Sequence, residues 1–284
     1  MGNLMPDALP RTHHYHAEAT VVEGHLRLPL EQEIKPQAQA KLPEEGGYLA
    51  QHAKDYKLES VISFRNAHTQ VAGNPSLKPG HGWSTLATSM VEGLNVLDVV
   101  TADRVVAQIS MDHPPLGYVP TVTFLGTRFE NLRIAGHKVG HHFNLDILGP
   151  KPEKDAPYTK GAGFLDRVAS QHEEVRKHKN LIDDLMRRYT GVSRDQENPE
   201  AVECSLVSQA SGDFPGQCFG HVIHVPDFGT IILGRLRLEQ SDYNQTGTPQ
   251  KTLLQLTMIE LKLGCVADGA AGIASMTTNG LTRP

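Results

Sequence analysis

Residues 94–136 constrain this chain more than any other stretch. They read LNVLDVVTADRVVAQIS, then MDHPPLGYVP, then TVTFLGTRFENLRIAG. Val96, Val99, Val100, Val105, Val106 and Ile109 are β-branched, a shape that is stiff in a helix and packs well on a pleated surface. Two β-rich runs about a turn-rich connection are the local solution, with a bend expected at 101–103 and a connection from Asp112 to Tyr118.

The same punctuation recurs on both sides. Residues 13–30 read as two short runs about Glu23-Gly24, and 59–70 and 84–91 as strands separated by a Gly- and Pro-rich loop at 72–82. Phe143, Leu145 and Ile147 alternate with His142, Asn144 and Asp146, as in a strand with one buried face. Residues 201–209 form a further run, and 219–225 and 230–238 flank a hairpin at 226–229. The run 253–263 is apolar on both parities, which predicts a central strand covered on both faces, with a short helix as the alternative. Residues 32–56 are polar and broken by Pro36, Pro43 and Gly46-Gly47, so they read as a long surface loop with one helical turn near 48–55. The Gly- and Ala-rich tail from Gly264 reads as an edge segment or frayed end.

One stretch changes period. Leu165, Val168, Val175, Ile182, Met186 and Tyr189 recur at spacings of three and four, with His172 and Lys179 at the interrupting positions. This predicts one amphipathic helix of about 28 residues over 163–190. Its apolar stripe, 165–189, predicts a homo-oligomer or a partner helix, and His172 on that stripe should be disfavoured as a cation by burial. The expected fold is therefore mainly β: a sandwich or jelly-roll of antiparallel sheets with one long inserted helix, as a single domain over 1–284. A β-solenoid is the alternative.

Composition bounds the function. At 284 residues the chain can bury a sizeable core without staples, and a net charge of −5 with no Lys/Arg-rich block argues against nucleic acid as a partner. No apolar run approaches the length of a spanning helix, so no membrane partner is expected. The opening lacks an apolar signal core, which predicts a cytoplasmic protein, or a secreted one if a signal was removed. Cys204, Cys218 and Cys265 are few and widely spaced, so free thiols are expected rather than a disulfide framework; Cys204 and Cys218 could pair in a secreted protein.

The run VEGLNVLDVVTADRVVAQIS, followed by FLGTRFENLRIAG, resembles bacterial β-rich proteins of the choice-of-anchor P type, over about 50 of the 284 residues. The resemblance implies a β-rich fold of the exported kind and no activity. The helix at 163–190 departs from that pattern.

The chain holds no HExxH, no Walker A loop, no strand-borne GxGxxG and no GxSxG, which counts against the commonest hydrolase and nucleotide-binding classes. Its 15 histidines hold the remaining chemistry. His13, His14 and His16 read as a solvated patch, with His14 and His16 on one strand face. His137 and His142 with Asp146 have the residue types for a divalent metal, the one cofactor class the sequence admits. His221 and His224 read as surface imidazoles at a hairpin. Arg65 and His68 end one predicted strand, His81 and Trp83 follow the Gly-rich loop, and His113 and Tyr118 belong to the next connection. Arg65, His68, His81, Trp83, His113 and Tyr118 are therefore expected to line one pocket for a small anionic or carboxylated ligand. Two functional readings stand: a non-enzymatic binding or structural module that self-associates, or a metal-dependent or His/Asp-dependent enzyme on a small molecule.

Overall fold

A computed structural model describes residues 11–28, 31–77, 82–161, 163–177, 187–189, 201–264 and 268–283. Seven strands open the chain: β1 (Thr12–Leu28), β2 (Gln32–Gln37), β3 (Ala40–Lys41), β4 (Gly47–Leu58), β5 (Ile62–Pro75), β6 (Trp83–Val96) and β7 (Val100–His113). Five short ones follow: β8 (Thr121–Thr123), β9 (Arg128–Glu130), β10 (Arg133–Ile134), β11 (His137–Lys138) and β12 (Gly140–Phe143). After the helix α1 (Phe164–Arg176) come β13 (Ala201–Ser205), β14 (Val207–Ser211), β15 (Gln217–Phe219), β16 (Val222–Val225), β17 (Gly229–Tyr243), β18 (Pro249–Gly264) and β19 (Asp268–Arg283).

Most strands form two antiparallel sheets packed face to face, and β12 and β14 pair as a small third sheet. The first runs β15-β16-β17-β18-β19-β1-β2, with β13 beside β17 and β3 beside β1; the second runs β11-β10-β7-β6-β5-β4, with β8 and β9 on β7. Both are wound largely as meanders, and β1 and β19, from opposite ends of the chain, pair along their whole length. Ala17, Ala19 and Val21 of β1, Ile273 and Met276 of β19, Ala87 and Val91 of β6, and Ile109 and Met111 of β7 belong to one buried core. The protein is thus the expected antiparallel sandwich with one helix. Hairpin-joined antiparallel neighbours are not the stacked coils of a solenoid.

Four expectations about elements are corrected. Residues 32–56 are no loop: β2, β3 and β4 lie there, half-exposed edge strands whose one buried face is too sparse to show as a pattern. The tail from Gly264 is no frayed end, because β19 sits between β18 and β1, where its small residues fit a close-packed centre. The chain turns at 97–99, not at 101–103: Leu97 and Asp98 both take positive φ, and Asn95 holds the turn by accepting the Asp98 N–H at 2.8 Å. β12 ends at Phe143, so Leu145 and Ile147 lie in turns, closed by hydrogen bonds from Ile147 to Asn144 and from Gly149 to Asp146.

The helix begins at Gly163, which takes φ 70° as its cap, and buries Phe164, Leu165, Val168, His172 and Val175. Full burial of such apolar side chains contributes about 1.5–3 kcal/mol each. Gln171 pins the helix to β13, donating to the Ser205 carbonyl at 2.9 Å and accepting the Ser205 N–H at 3.0 Å. The described part of the stripe is therefore covered by the chain's own sheet. The rest of the expected helix, 178–186 and 190, lies outside the described residues.

Candidate functional site

The strongest candidate lies where β6 begins and β7 ends. Trp83 and His113 stand opposite each other in register, so the pairing of these two strands alone brings them together. Around them opens a cavity of about 290 Å³ lined by Ser76, Gly82, Trp83, Asp112, His113, Pro114, Pro115, Thr121 and Lys151. Gly82 is required by close approach: a Cβ there would lie 2.4 Å from the His113 carbonyl oxygen. The rim is polar. Ser84 donates its hydroxyl to Asp112, and Lys151 pairs with Asp155 at 3.3 Å. Asp155 also accepts the Tyr118 N–H at 2.7 Å, an approach that φ +105° at Gly117 permits. The Arg11 guanidinium lies 4.6 Å from the centre of the Tyr118 ring and donates to the Gly117 carbonyl at 3.0 Å.

Behind the cavity wall sits His13. Its ring stacks on Trp83 (5.0 Å between centroids, 9° between planes), meets Tyr15 edge-on at 4.7 Å and tilts against His113 at 4.6 Å. His113 is only 3 % exposed, and neither of its ring nitrogens has a hydrogen-bond partner among the described residues. Burial pushes its pKa down to about 3, with His13 and Lys151 adding to the shift; burial and His14 bring His13 down to about 4. Both rings are neutral around pH 7.

Two of the six residues expected to line one pocket meet at this cavity. Trp83 and His113 line it, and Tyr118 belongs to the same end of the molecule through Asp155. His81 lies outside the described residues. Arg65 and His68 do not converge: Trp83 pairs with Pro75, and these two stand ten and seven residues back along β5 (75 − 65 and 75 − 68), about 30 Å and 20 Å away at the strand rise. Arg65 lies over Gly93, and His68 faces His52. The reason for an anionic ligand therefore weakens, since among the described residues Lys151 is the cavity's one cation and Asp112 its carboxylate. Sequence reasoning missed His13 and Lys151. Parity held the signal for His13: Tyr15, Ala17, Ala19 and Val21 are all apolar, and His13 continues their face. Lys151, in a turn-rich stretch, offers no such signal.

The metal expectation is corrected. His142 and Asp146 are exposed, and Asp146 sits in a turn beyond β12, so strand parity does not align it with His142. Among the described residues, no three His, Cys, Asp or Glu side chains converge on a point that could hold an ion. His221 is also corrected: it is buried in the turn between β15 and β16, while His224 is exposed. Cys204 and Cys218 are free thiols.

A second polar cluster surrounds α1. His172 donates from Nε2 to the Glu203 carbonyl at 2.7 Å, and Tyr189 and His221 share a 2.8 Å hydrogen bond. Arg235 grips Glu203 with two bonds of 2.6 and 2.7 Å and reaches Glu260 at 3.0 Å, which Arg188 also holds at 2.7 Å. Burial opposes ionisation of Glu203, but Arg235, Arg188 and Arg237 outweigh it and keep its carboxyl below the ordinary range. Three guanidiniums meet Glu203 and Glu260 here, and Arg237 also pairs with Glu239 at 3.3 Å, so this cluster ties helix to sheet.

These features define an antiparallel β-sandwich with one docked helix and a small cavity at a strand end. Residues 13–239 match the family described as Domain of unknown function (DUF8256), and the chain belongs to that family. No curated protein and no solved structure matches the chain. No helix among the described residues is long and apolar enough to cross a membrane.

Proposed function

We propose that the protein is a non-enzymatic binding module whose cavity takes a small polar molecule with one flat or apolar face. The observation that carries this reading is the cavity wall itself, where the Trp83 ring, the Asp112 carboxylate, the Thr121 hydroxyl and the Lys151 ammonium meet beside the buried His113 ring. Trp83 supplies the apolar platform, held flat by the His13 stack, while Asp112, Thr121 and Lys151 supply orienting polar groups; a mostly apolar concavity with a few such groups is the usual form of a small-molecule site. Catalysis by His113 is the weaker reading, because an imidazole held near 3 does not exchange protons efficiently around neutral pH.

Trp83 is the chain's only tryptophan, so its emission reports on this cavity alone. Ligand-observed NMR against a panel of sugars, carboxylates and aromatic amides should give binders that shift Trp83 emission, with at least about tenfold loss of affinity in His113→Ala. Binders that interact equally with Trp83→Ala and wild type would remove the cavity as the site.

A further inference from the structure

β4 and β5 place His52 directly opposite His68. Both belong to the outer face of their sheet: Ala67 and Thr69 beside His68 are buried, whereas His52 is exposed and His68 half-buried. The rings lie 4.4 Å apart between centroids, and the two Nδ1 atoms are 3.2 Å apart. We propose that this pair is a copper site, a two-imidazole chelate for a borderline first-row divalent cation with Cu2+ bound most tightly and Zn2+ less so.

The spacing carries the argument. An ion about 2.05 Å from each of two nitrogens sets them about 2.9 Å apart at a right angle and about 3.3 Å apart at the tetrahedral angle. The observed separation falls between these values, so the donors already stand where an ion needs them. Paired strands rather than loops fix that spacing, which keeps the ordering cost of binding low. Gln70, two residues on along the same strand face, hydrogen-bonds the His68 ring, the kind of support that fixes an imidazole's orientation in metal sites. Met90 stands opposite His68 on the other side, so β4, β5 and β6 set out His52, His68 and Met90 in one row across the sheet. For a given nitrogen site the Irving–Williams order places Cu2+ above Zn2+. Water completes the coordination. In the protein without metal the two rings share one hydrogen between their Nδ1 atoms, and on binding it moves to the far nitrogen of its own ring, which leaves both Nδ1 lone pairs for the ion.

The full chain is titrated with CuCl2 and with ZnCl2 by calorimetry in a weakly coordinating buffer, and the Cu2+ complex is read by electron paramagnetic resonance. One Cu2+ per chain with nitrogen hyperfine structure is expected, bound more tightly than Zn2+. His52→Ala and His68→Ala should each weaken it by about tenfold or more, with unchanged thermal melts because both positions lie on the outer face. A His14→Ala, His16→Ala double variant controls for another histidine pair, half-buried on one face of β1, and should bind as wild type does. The proposal is overturned if Cu2+ binding persists unchanged in His52→Ala and His68→Ala, if it follows His14 and His16 instead, or if no saturable 1:1 binding occurs.

Discussion

At the scale of single residues, the cavity end depends on what is absent from position 280. Gly280 of β19 lies under both imidazoles: a Cβ there would fall 2.4 Å from His113 Nε2 and 2.7 Å from His13 Cε1. Neither ring can retreat, since His13 is packed between Tyr15 and Trp83. Gly280→Ala should therefore destabilise by about 1–3 kcal/mol, the usual cost of overpacking a filled core, and should shift Trp83 emission through the His13 stack. A urea midpoint equal to that of wild type would show that the rings have room to move. The case also shows which site residues could be read beforehand. Trp83 and His113 were legible because each sits beside a Gly- or Pro-rich connection at the end of a β-run. Arg65 and His68 misled because a residue's nearness to a loop in sequence does not say which end of a fourteen-residue strand it occupies. β5 runs on to Pro75, so both belong to its interior.

At the scale of the element, each sheet carries a transverse line where the buried parity flips. In β18, Leu254, Leu256 and Met258 are buried, then Ile259, Leu261 and Leu263. The same flip occurs at 21–22 in β1 and next to Gly93 in β6, and along the first sheet the regular pairing skips Gly234, Met258, Ala274 and Val21. Gly234 and Ala274 take positive φ at this line. These are aligned bulges, which shift each strand by one residue without ending it. They explain two errors of the period-2 reading: 253–263 looked covered on both faces because two half-covered segments of opposite phase were joined, and 13–30 looked like two runs because β1 flips. The alternation that revealed most of the strands could not reveal this, since a single bulge reverses every later side chain. Gly234→Ala tests the line. Its φ of +61° costs a side-chain-bearing residue about 1–2 kcal/mol, and a new Cβ would lie 3.1 Å from Val207 Cγ2. Destabilisation of that order in a thermal melt is expected, whereas an unchanged melt would mean that the bulge accepts any residue.

At the scale of the whole molecule, the stretch matched to the family stops at 239, inside β17, yet β18 and β19 complete the sheet between β17 and β1. Without them the two flanking strands would have no neighbour on that side, so the folding unit includes both. The same unit encloses four imidazoles, two at each site: His13 and His113 at the cavity, His172 and His221 beneath the helix. Burial lowers all four, His13 to about 4 and His113 and His221 to about 3; for His172, burial outweighs the bond to the Glu203 carbonyl. The sign follows from where protons bind. In the unfolded chain these groups take up protons near 6.5, while in the folded protein His13, His113 and His221 resist until pH 3–4 and His172 is also held below its ordinary value, so unfolding consumes protons over that interval. Their contribution to stability is fully present above about pH 7 and is lost as pH falls toward the folded values. One proton of difference is worth about 1.4 kcal/mol per pH unit, so His13, His113 and His221 give a slope of up to about 4 kcal/mol per unit near pH 5, with His172 acting in the same direction. Against a typical stability of about 5–15 kcal/mol, that slope strongly destabilises the fold as pH falls below about 6. Urea midpoints measured from pH 8 to pH 4.5 should be flat above pH 7 and fall steeply below pH 6.5. His113→Gln and His221→Asn should each reduce the slope by about one proton. A midpoint that stays level from pH 7 to pH 5 would mean that these rings charge freely in the folded state, and that the core does not enclose them as tightly as their packing implies.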